Sequence, residues 1–269
     1  MADLLARPSP PDANGRTLSI TPESAGWTYV GFDLYRLEAG QTLERSTGEQ
    51  EVLLVLIAGS ADITAAGQSF ENLGGRKGPF DDVSPDSVYV PAGSSYTVMP
   101  RTTLELAVCA APGKPGTRKP VLIPGASVPT ETRGESTNTR HVRNILPDSV
   151  EGIADSLIVV EVITPSGCWS SYPPHKHDTD DVPNESYLEE IYYHRLDPSQ
   201  GFAFQRVYTD SGDLDETMTV HDGDVTMVPK GYHPCGAPHG YALCYLNVMA
   251  GPRRVWKFTT QAQHQWLLK

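Results

Sequence analysis

Cysteine is scarce in this chain, and Cys109, Cys168, Cys235 and Cys244 lie far apart with no Cys-x-x-Cys spacing. A chain of 269 residues can build a core without covalent staples, so four free, buried thiols are expected. Long apolar runs are missing as well. Stretches such as 52–58 and 157–163 stop well short of the roughly 18 residues that cross a bilayer as a helix. A membrane protein is therefore not expected. Basic residues are few: 21 Lys and Arg stand against 33 acids, a formal charge of -12, and they form no stripe along which phosphates could be neutralised. Nucleic acid is accordingly not expected as a partner. Ahead of Pro8 there is an early acid, Asp3, and no apolar stretch of signal-peptide length, so the expected location is the cytoplasm.

The last absence is helical periodicity. No long amphipathic helix can be drawn; the periodic segments are short, β-branched or aromatic, and bounded by Gly, Pro, Asp or Ser, as at 27–37, 53–57, 88–90, 202–208 and 243–248. With Gly 24 and Pro 23, this composition suits a turn-rich all-β fold made of sandwiches or barrels.

Three landmarks recur in the same order in both halves, which is the mark of a duplicated architecture. An acid opens an apolar strand at Glu51 and again at Glu190, an offset of 139. Pro91-Ala-Gly93 matches Pro229-Lys-Gly231 at 138, and the closing segment 107–112 matches 247–252 at 140. The stretch from Pro112 to about Thr137 has the composition of a connector, which sets an expected boundary near 120: an N-terminal unit 1–120 without a metal site and a C-terminal unit 121–269 carrying one.

The strongest chemical signal is Pro173-Pro-His175-Lys-His177. On an extended backbone, residues two apart point the same way, so the two imidazoles converge. A His-x-His pair alone is more often a solvated loop feature. Here a third His, His233, follows the Pro229-Lys-Gly231 turn, and Glu190 opens the strand after the His-x-His loop. Three imidazoles and a carboxylate form a donor set for one divalent cation with positions left open for substrate. Zn, Mn, Fe, Co and Ni all suit such nitrogen and oxygen donors. The first half offers no His between Gly40 and Glu51 and has Tyr96 after its own Pro-x-Gly turn, so that half is expected to be structural.

His-x-His, then Glu, then Pro-x-Gly-x-His is the pattern of the cupin superfamily, and the chain resembles a bicupin, two tandem jelly-roll barrels. The segments 170–178, 189–195, 201–208 and 245–252 resemble 5-deoxy-glucuronate isomerases of myo-inositol catabolism, and 23–32 and 137–147 extend the likeness over nearly the whole chain. That family is related to the 5-keto-4-deoxyuronate isomerases. The resemblance implies an aldose–ketose isomerase converting 5-deoxy-D-glucuronate to 5-dehydro-2-deoxy-D-gluconate, with His175, His177, Glu190 and His233 holding a zinc-like divalent ion. The sequence departs from the general cupin spacing in one place: residues 178–189 separate His177 from Glu190, where three or four residues are usual.

Strand parity from Glu190 puts Tyr192 and His194 on its face, as candidates for moving the substrate proton. Arg206, on an alternating strand after Phe202 and Phe204, is the expected clamp for the sugar acid's carboxylate, with Lys230 as a second cation. No role is assigned to Asp178, Asp180 and Asp181. Two other readings use the same residues: a cupin dioxygenase, which would require oxygen, and a non-catalytic sugar-binding bicupin, which would not need the His set. The expected partner is a small sugar acid, and association into a homo-oligomer is left open.

Overall fold

The computed structural model describes residues 3–268 and is almost entirely β. Among the described residues the longest helical segment is the 3-10 turn Ala262–Leu268, as the missing helical periodicity predicts. No helix is long and apolar enough to cross a membrane.

The chain divides into two compact units that are not contiguous in sequence. One contains residues 8–129 and 144–159; the other contains 1–7, 130–143 and 160–269. A single cut at 120 therefore differs from the observed division in three short segments. The N-terminal segment illustrates why: Leu5–Ala6 forms an antiparallel edge on Val225–Val228, so its backbone groups are satisfied in the C-terminal unit.

Each half carries the same central pattern. In one sheet the strands Ser87–Val90, Gln50–Ala58 and Leu104–Pro112 are neighbours; in another, Val225–Val228, Glu189–Asp197 and Ala242–Ala250 stand in the same order. Pairing fixes how the halves correspond. Val52 faces Val90 and Ala110, while Glu190 faces Val228 and Met249. Val52 thus occupies the place of Glu190, and Glu51 corresponds to Glu189. The sequence offset of 139 matched Glu51 to the wrong member of the Glu189-Glu190 pair, because two adjacent acids allow either alignment.

A one-residue shift on a strand exchanges the faces, so this correspondence decides what each half does. In the unit containing Gln50–Ala58, Val52, Leu54 and Leu56 point into an apolar core with Ile63, Val88, Tyr96 and Val98. That interior is packed with aliphatic side chains together with Tyr35 and Tyr96, and where the other half has Glu190 it has Val52.

Candidate metal centre

Every group at the centre belongs to the unit that contains Glu189–Asp197. Glu190 projects from that strand next to two histidines brought in by turns. His177 follows the short strand His175–Lys176, and the 12 residues that separate it from Glu190 are taken up by a hairpin, Asp178–Asp181 against Glu185–Tyr187. The hairpin closes on itself where Leu188 N donates to His177 O at 2.9 Å. The unusual spacing is therefore a looped-out excursion that returns the chain to the point it left, and His177 and Glu190 meet in spite of it. His233 follows a turn in which Gly231 has φ +87°, with space for no side chain: a Cβ there would lie 2.3 Å from Tyr208 O. Asp178 accepts from Gly231 N at 2.9 Å, tying the His233 turn to the hairpin.

His177, Glu190 and His233 are buried, and one ligand atom from each lies within 4.8 Å of the others. His177 Nε2 is 3.0 Å and His233 Nε2 3.1 Å from the same oxygen, Glu190 Oε2. The opposite ring nitrogens are taken by backbone carbonyls: His177 Nδ1 meets Leu188 O at 3.1 Å, His233 Nδ1 meets Gly231 O at 2.9 Å, and His175 Nδ1 meets Pro173 O at 3.2 Å. A neutral imidazole that donates through Nδ1 presents a bare lone pair at Nε2. Two such lone pairs converge here on a carboxylate oxygen, and three acceptors facing one another need a cation between them. His233 Nε2 accordingly makes no hydrogen bond among the described residues. This donor set fits a divalent metal ion.

The electrostatics agree. Burial pushes the Glu190 carboxyl up, but with no cation bound the positive charge that His233 and His177 can carry, and the Asn247 hydrogen bond, outweigh it and hold its pKa at about 2, so Glu190 is a carboxylate. Burial pulls His175 down to about 3, so it is a neutral donor. His175 stands further out than the other three: its ring centroid is 5.0 Å from that of His233 and 6.4 Å from that of His177, and it is not part of the tight three-residue set.

A pocket opens beside the cluster, lined by His175, Glu190, Tyr192, Ser171, Asn247 and Arg140, with an apolar wall that includes Val160, Val162, Trp256 and Phe258. Tyr192 lies where parity expects it, its hydroxyl 2.8 Å from Ser171 Oγ. Burial, with Glu190 nearby, raises its phenol far above the usual value, so the group keeps its proton. His194 shares that face but lies outside the pocket wall, stacked against the Tyr192 ring at 5.8 Å, with Nε2 near Gln205 Oε1 and Thr226 Oγ1. Among the described residues its Nδ1 has no hydrogen-bond partner, and burial lowers its pKa to about 4.

The structure does not bring Arg206 or Lys230 to this pocket. Arg206 pairs bidentately with Asp215 at 2.7–2.8 Å, lies 4.0 Å over the Tyr208 ring, and lines a different groove. Lys230 is exposed and bound to Asp213. Both cations sit on outward faces beside acids that strand pairing and turns bring near, Asp215 nine and Asp213 17 residues away in sequence, which alternation alone does not reveal. Sequence reasoning also passed over Asn247, whose amide donates to Glu190 Oε1 from the neighbouring strand, and assigned no role to Asp178, which holds the His233 turn. A polar residue in the apolar run 242–250 was the available signal for Asn247.

A model of the KduI/IolB family matches residues 4–267. The chain belongs to the KduI/IolB family. A curated relative, the 5-deoxy-glucuronate isomerase of Geobacillus thermodenitrificans, is 54% identical over 96% of this chain and 93% of its own length. Among solved structures, an IolB-like protein from Salmonella typhimurium LT2 superposes with a TM-score of 0.95 at 48% identity, covering both chains completely. A Bacillus subtilis oxalate decarboxylase with Mn(II) centres matches at a TM-score of 0.65 and 14% identity, over 98% of this chain and 80% of its own. At that distance the likeness speaks for the fold alone, the bicupin architecture that this KduI/IolB member shares.

Proposed function

We propose that this pocket is the active site of an isomerase that converts 5-deoxy-D-glucuronate to 5-dehydro-2-deoxy-D-gluconate in inositol breakdown. The observation that carries the reading is the 54% identity, over nearly full length, to a curated enzyme of that name, with the buried His177-Glu190-His233 set supplying the chemistry. His175, His177, Glu190 and His233 hold one divalent cation, zinc-like in its demand for nitrogen and oxygen donors. When bound, the cation supplies a Lewis acid for the oxygens of an aldehyde and its neighbouring hydroxyl.

The chain's own residues do the rest. The carbonyls of Pro173, Leu188 and Gly231 keep the three imidazoles in one tautomer, and Asn247 orients the Glu190 carboxylate. Tyr192, protonated and facing the pocket, offers its phenolic O–H as a hydrogen-bond donor to a substrate oxygen while Ser171 Oγ, 2.8 Å away, holds the hydroxyl in place. The wall of Val160, Val162, Trp256 and Phe258 keeps bulk water from the reacting carbons. His194, shielded behind Tyr192, is the remaining candidate for the proton path. The proposed location is the cytoplasm, with which four free, buried thiols agree.

The test is to incubate metal-replete protein with 5-deoxy-D-glucuronate under anaerobic conditions and follow the ketone by carbon NMR. Stoichiometric conversion without oxygen is the expected result; turnover only with oxygen would overturn the isomerase reading in favour of an oxygenase. Metal analysis of the same protein should find about one divalent ion per chain, since the first half places Val52 where the second has Glu190. Two ions, or none in protein purified without chelator, would contradict it.

A further inference from the structure

A sugar acid has two ends that a protein must hold: the carbonyl end that reacts and a carboxylate that does not. The metal cluster accounts for the first. For the second, the pocket contains an arginine that sequence reasoning did not reach. Arg140 opens the strand Arg140–Leu146 and is half-buried in the same wall as His175 and Glu190. Directly opposite it on the paired strand stands Arg133, a second guanidinium lining the pocket.

Like charges placed face to face on adjacent strands repel, and this pair is balanced on one side only. Arg133 is paired with Glu131 at 2.8 Å. Arg140 has no carboxylate within 4.0 Å among the described residues; one of its terminal nitrogens donates to Asn138 O at 3.0 Å and to Asn138 Oδ1 at 3.2 Å. Those contacts fix the plane of the guanidinium and leave its other donors for a ligand. A partly desolvated guanidinium without a counter-ion, held by one edge beside a pocket, is built to receive an anion, and its planar fork matches a carboxylate.

We propose that Arg140, supported by the field of Arg133, binds the carboxylate of the sugar-acid substrate. The proposal rests on the isomerase reading for the identity of the substrate, and it transfers to Arg140 the role that strand alternation suggested for Arg206. It predicts selection of an acid over a neutral sugar of the same length, because a neutral chain end would leave the arginine without its partner.

The experiment compares wild-type and Arg140→Gln holoenzyme with 5-deoxy-D-glucuronate and with its neutral amide, 5-deoxy-D-glucuronamide. The variant should keep its metal content and melting temperature. Its KM for the acid should rise on the order of 100-fold, as loss of a charge-assisted bidentate contact implies, with kcat changed only a few-fold. Preference for acid over amide, large in the wild type, should vanish, and Arg140→Lys should restore part of it. A folded, metal-replete Arg140→Gln protein with unchanged KM and unchanged preference overturns the proposal and leaves the isomerase reading standing. If instead the wild type does not isomerise the acid, that reading fails, and the site is probed directly by quenching of tryptophan fluorescence, Trp256 being in the pocket wall, with D-glucuronate. Saturable quenching lost in Arg140→Gln supports the anion site; identical titrations in both proteins overturn it.

Discussion

Glu190→Gln should strip the protein of its metal and of activity, while Glu189→Gln should keep the metal. The two acids are adjacent and both fully buried, so neither burial nor sequence context separates them. Geometry does. Glu190 faces the cluster, its Oε2 within 3.0–3.1 Å of two imidazole nitrogens, whereas its neighbour on an extended strand must point to the opposite face. An amide at 190 removes the negative charge and turns either a weaker oxygen donor or an NH2 group toward the imidazole lone pairs. Even groups that only orient a metal ligand commonly contribute about 10–100-fold in affinity, so direct loss of the carboxylate should exceed that range. Equilibrium dialysis with zinc, followed by turnover, measures it. Metal lost from the 189 variant and retained by the 190 variant would reverse the register and remove Tyr192 from the pocket with it.

Much of this centre was legible in the sequence because its signals are local. Two histidines at i and i+2, a glycine forced by a left-handed turn and a histidine two residues after it need no tertiary information. The all-β class followed from short periodic segments for the same reason. What could not be read was set by contacts between residues distant in sequence. The loop 178–189 looks like an interruption until its hairpin is seen to close at Leu188 and His177. Arg206 and Arg140 both lie on strands beside polar neighbours; only the fold gives the first a carboxylate, Asp215, and withholds one from the second. The duplication was visible, yet its register was not, since Glu51 could be matched to either of two adjacent acids.

That register carries the second large expectation, a loss of stability at the counterpart of Glu189. Glu51 is fully buried on the face away from the apolar core, and its carboxylate gathers four donors. Oε1 accepts from Ser156 N and Leu157 N at 2.7 Å each; Oε2 accepts from Asp155 N at 2.7 Å and from the Tyr89 hydroxyl at 2.6 Å. Glu51 therefore pins the segment 155–157 to its sheet, all within one unit. Glu51→Ala leaves these donors facing a void. A buried donor without a partner costs about 1–3 kcal/mol, and because Asp155 and Ser156 are near enough to the surface for water to reach them, a total of about 3–5 kcal/mol is expected. For a chain of this size that corresponds to a melting temperature lower by roughly 10 °C. Glu51→Gln should fall between: its oxygen can serve Ser156 and Leu157, its NH2 can donate to the Tyr89 oxygen, and only Asp155 N then meets another donor. Scanning calorimetry of the three proteins gives the order. Metal content of the folded variants should match wild type, because the ligands belong to the other unit. Equal melting temperatures for wild type and Glu51→Ala would mean that the segment 155–157 is held by other contacts, whereas loss of metal from the folded Ala variant would mean that Glu51 acts on the ligand set, which the observed register excludes.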